Sequence, residues 1–122
     1  FIDRLSEFLT NHIRVKPEIV DYKKALKYMN WNRFSENKIY PTIIPNWDHT
    51  PRSGNFGRVF KNSTPELFGK HIDEIFSHLK HKEPEDKIVF LKSWNEWGEG
   101  NYVEPDLING RGYIEILKDK LK

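Results

Sequence analysis

The sequence has no cysteine, and this absence excludes a disulfide framework and thiol chemistry. It suits a reducing compartment, so we expect a cytoplasmic protein. No apolar stretch approaches the roughly 20 residues that cross a bilayer, and we therefore expect no transmembrane segment. A dominant charge of one sign is also lacking, because the formal net charge is only +2 while charged residues make up 31% of the chain. This balance gives no support for a nucleic-acid partner.

Aromatic side chains are abundant for a chain that is otherwise poor in apolar residues. They make up 14% of the 122 residues, whereas all apolar residues together reach 37%. We treat residues 1–122 as a single domain or fragment, because this length fits one domain. The chain begins at Phe1 within a helical pattern rather than at a methionine. We therefore expect a piece of a longer protein.

Hydrophobic periodicity predicts helices and strands in alternation. Helices are predicted at the start of the chain, at about 19–29 after a break at Pro17, at 65–81 and at 112–121. Strands are predicted at 39–45 and at 88–91, where the unbroken apolar run indicates burial on both faces. Polar loops are predicted at 30–38 and 46–63. Thr64 followed by Pro65 is typical of a helix start, with a hydroxyl cap and a proline in the first turn.

Two strands separated by a helix predict a parallel pair joined by a right-handed crossover. Two strands are too few for an independent sheet, and a (β/α)8 barrel takes about 250 residues and eight such units. We therefore expect an α/β fold that is a fragment of a TIM-like barrel. Because the edges and apolar faces of a fragment are uncovered, we expect self-association or contact with the rest of the barrel.

The loop after the second predicted strand combines acids with aromatic rings. Within eleven residues it holds three glutamates and three aromatic residues: Glu96, Glu99, Glu104, Trp94, Trp97 and Tyr102. Indole faces stack on sugar rings, and carboxyl groups move protons and bind hydroxyls. Loops at the carboxyl ends of parallel strands are also where α/β folds place their sites. The pattern therefore favours a carbohydrate site.

The two central acids also have a structural interpretation. Glu96 and Glu99 could be solvated loop acids that pair with Lys92 or Arg111. Tryptophans on both sides would desolvate these acids, and this favours the functional interpretation.

The neighbours of these acids leave alternatives open as well. Trp94 and Trp97 could pack in a core instead of binding sugar. Asn95 could donate to a sugar hydroxyl or cap a turn. Glu104 is expected to hold the loop, although it could also bind hydroxyls.

The loop after the first predicted strand opens with Trp47 and Asp48, which we expect at the same mouth as the glutamates. Asp48 could hold a sugar hydroxyl or pair with Arg52, and we favour the pairing. Arg52 and Arg58 could bind a phosphate or a sugar carboxylate, although a plain surface loop is the simpler interpretation.

Metal and nucleotide sites have little support in the sequence. His71, His78 and His81 have no carboxylate placed to complete a metal site, so we assign them to a solvated helix face. Neither an Asp-x-Asp triplet nor a phosphate-binding glycine motif is present. We expect no metal and no cofactor.

Four segments, at residues 46–54, 94–100, 103–106 and 112–113, resemble the C-terminal part of the WbsX-type glycosyltransferases of bacterial lipopolysaccharide and O-antigen biosynthesis. That family is similar to the family 99 glycoside hydrolases, the endo-α-mannosidases, which are (β/α)8 barrels. The resemblance implies the C-terminal portion of such a barrel. The hydrolases carry two catalytic glutamates in a Glu-Trp-x-Glu motif, which residues 96–99 match. They usually have a histidine where this chain has Gly98, and this difference puts hydrolysis in question.

The resemblance also implies catalytic roles. Glu99 would be the general acid/base, and Glu96 would take the proton from the sugar 2-hydroxyl, which then attacks its own anomeric carbon. We expect substrate-binding roles for Trp47, Asp48, Arg52, Trp94, Asn95, Trp97 and Glu104.

The expected function is glycosyl transfer in lipopolysaccharide or polysaccharide biosynthesis, with a glycan or sugar donor as the substrate. An endo-acting glycoside hydrolase is the first alternative. A non-catalytic glycan-binding module or an inactive fragment is the second. We expect the fragment alone to be inactive.

Overall fold

The computed structural model describes residues 16–29 and 39–122. Its elements are, in chain order, β1 (Glu18–Asp21), α1 (Tyr22–Tyr28), β2 (Thr42–Ile43), α2 (Thr50–Ser53), β3 (Arg58–Lys61), α3 (Pro65–Leu79), β4 (Phe90–Leu91), β5 (Asn95–Glu96), β6 (Asn101–Tyr102) and α4 (Gly112–Lys120). Short 3-10 turns lie at Gly54–Phe56, Pro84–Asp86 and Trp97–Glu99. Within these ranges, none of the helices has the length and apolar character to cross a membrane.

Helix α3 is the central packing element, and its prediction is confirmed. The Thr64 hydroxyl accepts a hydrogen bond from the Leu67 amide at 3.3 Å, which caps a helix end that would otherwise leave this amide unsatisfied. Its apolar stripe packs against α4, β2 and the loop after β6. The buried core consists of Ile43, Phe68, Ile72, Ile75, Leu79, Val103, Tyr113 and Leu117.

Strands β2 and β4 pair in parallel on either side of α3 in the sequence, as predicted. Thr42 lies opposite Phe90, and Ile43 lies opposite Leu91. The Phe90 amide donates to the Pro41 carbonyl and the Lys92 amide donates to the Ile43 carbonyl, both at 2.9 Å. The described strands form three separate two-stranded sheets. The fold is therefore α/β with parallel strand pairs and helices.

The predicted burial of residues 88–91 on both faces is wrong. Ile88 and Phe90 are exposed, Phe90 by 56%. Val89 and Leu91 pack against the core, so one face of the strand is covered and the other is open. The apolar run indicated a buried strand, but within the described residues α3 covers only one of its faces.

The predicted helix at about 19–29 and the predicted loop at 46–63 both need correction. The first segment begins as strand β1, and the helix starts only at Tyr22, after the Asp21 carboxylate caps it by accepting from the Lys24 amide at 3.2 Å. The second segment contains α2 and strand β3, which pairs in parallel with β1. Each strand needs the other for its backbone hydrogen bonds, so neither pattern was recognisable locally. The predicted first helix and the loop at 30–38 lie outside the described residues.

Strand β3 also fixes the loop after β2. The Phe60 amide donates to the Trp47 carbonyl at 2.8 Å, and the His49 amide donates to the Arg58 carbonyl at 3.0 Å. A Cβ atom at Gly57 would lie 2.9 Å from the Thr50 backbone, which is too close for any side chain. Glycine at this position therefore allows α2 to fold back tightly on the start of β3.

His71 corrects another prediction, because it is fully buried rather than on a solvated helix face. Its Nε2 accepts a hydrogen bond from the Ile44 amide at 3.3 Å, and the Tyr22 hydroxyl donates to the Ile44 carbonyl. Burial lowers the pKa of His71 to about 4 and raises the pKa of Tyr22. The two side chains hold the end of β2, where the first site loop begins.

Candidate functional site

The loops after β2 and β4 meet directly. The Asp48 amide donates to the Glu99 carbonyl at 2.7 Å. Gly100 has a φ of +56°, which favours glycine, and a Cβ atom there would lie 3.1 Å from the Asp48 Cβ. Beside this contact, β5 and β6 form a short antiparallel hairpin, with Glu96 at the end of β5 and Glu99 in the turn.

Arg52 joins the two glutamates. Its Nη2 lies 2.9 Å from Glu96 Oε1, and its Nε lies 3.4 Å from Glu99 Oε1. The favoured pairing of Arg52 with Asp48 is therefore wrong. Asp48 instead accepts from the Thr50 amide at 2.9 Å and from the Thr50 hydroxyl, because its short side chain reaches the start of α2.

Glu99 is the more enclosed of the two acids, with 14% of its side chain exposed against 38% for Glu96. Two further basic groups approach it. His49 Nε2 lies 3.6 Å from Oε1, and Lys92 Nζ lies 3.8 Å from Oε2. Of the two structural partners considered for the acids, Lys92 is present, whereas Arg111 pairs with Glu115.

Trp47 reaches the same cluster through Lys92. The Lys92 ammonium lies 4.6 Å from the centre of the Trp47 ring, a distance typical of a cation–π contact. The same ammonium approaches Glu99, so Trp47 and Glu99 are both close to one lysine. The structure thus brings Trp47, Asp48 and Arg52 of the first loop to the glutamates of the second.

Trp97 is held as a half-exposed ring. It stacks on Tyr102 with ring centres 3.7 Å apart and planes inclined by 15°. Its Nε1 donates to Glu104 Oε2 at 2.7 Å. Trp94 is exposed to a similar degree, so neither tryptophan belongs to the core of the described residues. A flat apolar ring open on one side can receive a sugar ring, and Glu104 fixes the orientation of this one.

Ser93 and Asn101 stabilise the hairpin through hydrogen bonds, and the sequence analysis identified neither of them. The fully buried Asn101 accepts from the Ser93 amide through its side chain, and its carbonyl accepts from the Ser93 hydroxyl at 2.6 Å. The Ser93 hydroxyl in turn accepts from the Glu96 amide at 3.1 Å. A polar residue at a position that β-sheet alternation turns inward is the signal that could have found Asn101.

Some predicted site residues lie apart from this cluster. Asn95 is exposed in β5, where it lies opposite Tyr102. Arg58 pairs with Glu18 at 2.8 Å instead of facing the glutamates. Residues 16–29 and 39–122 contain no group of three or more histidine, aspartate or glutamate side chains that could hold a metal ion. The site combines carboxylates, basic groups and aromatic faces. These groups are suited to proton transfer and to sugar binding.

Comparison with known proteins identifies relatives of this chain. The model of the family described as Glycosyltransferase WbsX matches residues 2–117. Proteins named "Uncharacterized protein WxcX" from two strains of Xanthomonas campestris pv. campestris, ATCC 33913 and B100, are each 26% identical over 105 residues. The matched region is 85% of this chain but only 15% of each relative's length. No solved structure matches the chain significantly. Because the family model covers nearly the whole chain, the chain belongs to the WbsX glycosyltransferase family.

Proposed function

We propose that the full-length protein is a carbohydrate-active enzyme that transfers glycosyl groups during assembly of a bacterial lipopolysaccharide or related polysaccharide. The observation that supports this most is the shared contact of Glu96 and Glu99 with Arg52, beside the half-exposed ring of Trp97. Family membership supports the carbohydrate substrate. In the proposal, this chain is the C-terminal part of a TIM-like barrel completed by the rest of the protein.

The proposed chemistry divides two roles between the glutamates. Glu96 takes the proton of the sugar 2-hydroxyl, whose oxygen attacks the anomeric carbon of the same sugar while Glu99 protonates the oxygen that leaves it. Glu99 then takes the proton of an acceptor hydroxyl, whose oxygen bonds to the anomeric carbon, and Glu96 returns its proton to the 2-oxygen as the temporary bond breaks. Trp97 and Trp94 receive the sugar ring, and Trp47 and Lys92 form the other side of the mouth. Glu99 lies within 4.0 Å of three basic side chains, so a substrate must replace at least one of these contacts to reach the carboxyl group.

These basic contacts also favour a second candidate, a glycan-binding module without catalysis. Glu99 would then be an acceptor for sugar hydroxyls, and the aromatic rings would supply the affinity. The two candidates differ in how they respond to Glu99→Gln. Loss of the transferable proton abolishes catalysis, whereas an amide of the same shape still accepts hydrogen bonds from a glycan.

The experiment is complementation of a strain that lacks the gene for the full-length protein. Wild type, Glu96→Gln, Glu99→Gln and the control Glu115→Gln are expressed at matched levels, and the surface polysaccharide is separated by gel electrophoresis. Glu115 is an exposed acid of α4 that pairs with Arg111, so its loss should be silent. We expect Glu115→Gln to restore the polysaccharide and both site variants to fail. Restoration by both site variants contradicts the enzymatic proposal.

A second measurement separates transfer from hydrolysis. Membranes of the deletion strain are supplied with labelled nucleotide sugars and purified full-length protein. Incorporation of label into polymer that depends on Glu99 supports a transferase. Release of soluble oligosaccharide from labelled polymer supports the hydrolase alternative instead.

A further inference from the structure

We infer that Arg52 is a positioning residue that holds Glu96 and Glu99 in their working arrangement, and that Gly98 leaves the space which this requires. The inference rests on the proposed function, because it takes these two glutamates as the reacting groups. It changes the role of Arg52 from a binder of anionic substrate groups to an internal clamp.

The geometry of the guanidinium supports this role. Its Nη2 and Nε contact two different carboxylates, at 2.9 Å from Glu96 and 3.4 Å from Glu99. A planar guanidinium presents several donors in fixed directions, so it can hold two acids at one relative position. Lysine is a point charge on a flexible stem and cannot fix both directions. The positive guanidinium also attracts both carboxyl groups and so favours their closeness.

The backbone that carries Arg52 is itself fixed. The Asp48 carboxylate accepts from the Thr50 amide and hydroxyl at the start of α2, and the Ser53 hydroxyl lies 2.9 Å from His49 Nδ1. The Asp48 amide is bonded to the Glu99 carbonyl, which ties the base of the clamp to the loop that it holds. The arginine therefore extends from a braced turn toward the hairpin.

Gly98 lies between the two glutamates and beside the clamp. A Cβ atom at this position would lie 3.2 Å from Glu96 Oε1 and 3.5 Å from Arg52 Nη2. A methyl group at this position would force the Glu96 carboxylate to shift by a few tenths of an ångström, and a longer side chain would add bulk beside the ion pair. Glycine at position 98 and arginine at position 52 are thus two parts of one arrangement.

The exposure of Arg52 makes the idea testable without loss of the fold. The side chain is 54% exposed, and exposed ion pairs contribute little to stability. Removing it should leave the protein folded while the carboxylates lose their fixed positions. The matched control is Arg111→Ala, which breaks another exposed arginine–glutamate pair away from the site.

The test compares Arg52→Ala, Arg52→Lys, Gly98→His and Arg111→Ala in the full-length protein. Crystal structures report the positions of the two carboxylates. The membrane incorporation assay with labelled nucleotide sugars reports turnover, with and without added guanidinium chloride. For Arg52→Ala we expect displaced carboxylates and turnover reduced by roughly 100-fold, as a misplacement near 1 Å can cause. Its melting temperature should change by less than about 2 °C.

Guanidinium distinguishes a clamp from a structural residue. We expect it to restore part of the turnover of Arg52→Ala, and to do nothing for Gly98→His, where the imidazole blocks the space. Arg52→Lys should fall between wild type and Arg52→Ala, and Arg111→Ala should match wild type. Carboxylates that keep their positions in Arg52→Ala overturn the inference, as does wild-type turnover of that variant.

Failure of the proposed function is distinguishable from failure of the clamp. If Glu96→Gln and Glu99→Gln both turn over like wild type, the enzymatic proposal fails. The crystal structures still decide whether Arg52 fixes the two carboxylates, because that comparison needs no substrate.

Discussion

The indole nitrogen of Trp97 donates a 2.7 Å hydrogen bond to Glu104, an acid of the same loop that lies seven residues later. Because Tyr102 covers one face of the indole, the bond and the stack together leave the other face as a rigid platform. A ring held in this way loses little conformational entropy when it meets a ligand. The role of Glu104 is thus tied to the orientation of Trp97.

Removal of the Trp97 ring should selectively lower the affinity for the glycan. Trp97→Ala in the full-length protein should weaken binding of polysaccharide isolated from the wild-type strain by about tenfold, in line with the contribution of one aromatic contact. Glu104→Gln should have a smaller effect, because its amide oxygen can still accept from the indole. Affinity is measured by titration of labelled polysaccharide. Tyr28→Ala, which removes another exposed aromatic ring, is the control. Unchanged affinity in Trp97→Ala would mean that the Trp97 ring does not bind the glycan.

Substitution of Asn101 should destabilise the hairpin locally. Asn101→Ala leaves the Ser93 amide without its acceptor in a buried setting, which should cost about 1–3 kcal/mol. Hydrogen exchange in the peptide that carries residues 93–101 should then be faster, because the local opening free energy falls. Asn55→Ala, at an exposed turn, serves as the control. Equal protection in both variants would mean that Asn101 does not hold the hairpin.

The buried His71 should make the local stability depend on pH. Its pKa is 6.5 in the unfolded chain and about 4 in the fold, because burial disfavours the charged imidazolium. The unfolded chain therefore binds more protons between these values. The contribution of the neutral histidine is fully present above about pH 6.5 and is lost as the pH falls toward 4. At 1.36 kcal/mol for each pKa unit, the loss approaches about 3 kcal/mol.

The measurement is hydrogen exchange in α3 across this pH range, corrected for the intrinsic exchange rate. In wild type the opening free energy should decline between pH 6.5 and 4, and in His71→Gln this part of the decline should be absent. His81→Gln removes an exposed histidine and should behave like wild type. A decline of the same size in His71→Gln would assign the acid sensitivity to other groups.

The exposed apolar residues predict self-association of the isolated chain. Ile88, Phe90, Leu107 and Ile108 are all exposed, and β2 and β4 pair only with each other within the described ranges. Uncovered strand edges and apolar patches favour association. Sedimentation velocity of the 122-residue chain should show oligomers, or a hydrophobic dye should bind to the chain in a separate fluorescence measurement. Phe90→Asp should reduce both. A compact monomer without dye binding speaks against this expectation.

Local patterns in the sequence were sufficient for the central helix and for the position of the glutamates. Thr64 followed by Pro65 marked the start of α3, and the apolar stripe of that helix followed the helical period. The apolar run before Trp94 placed residues 96–99 after a strand. Each of these signals is contained within a few residues, so no knowledge of the fold was needed to recognise it.

The tertiary structure alone decided how distant residues pair. Arg52 had Asp48 four residues away, yet it contacts Glu96 and Glu99 because the Asp48 amide docks on the Glu99 carbonyl and brings the loops together. Strands β1 and β3 exist only as partners, since the hydrogen bonds of each are completed by the other. The burial of His71 likewise depends on β2 lying across α3. One composition and one spacing are compatible with many pairings of side chains and strands, and only packing in three dimensions selects one of them.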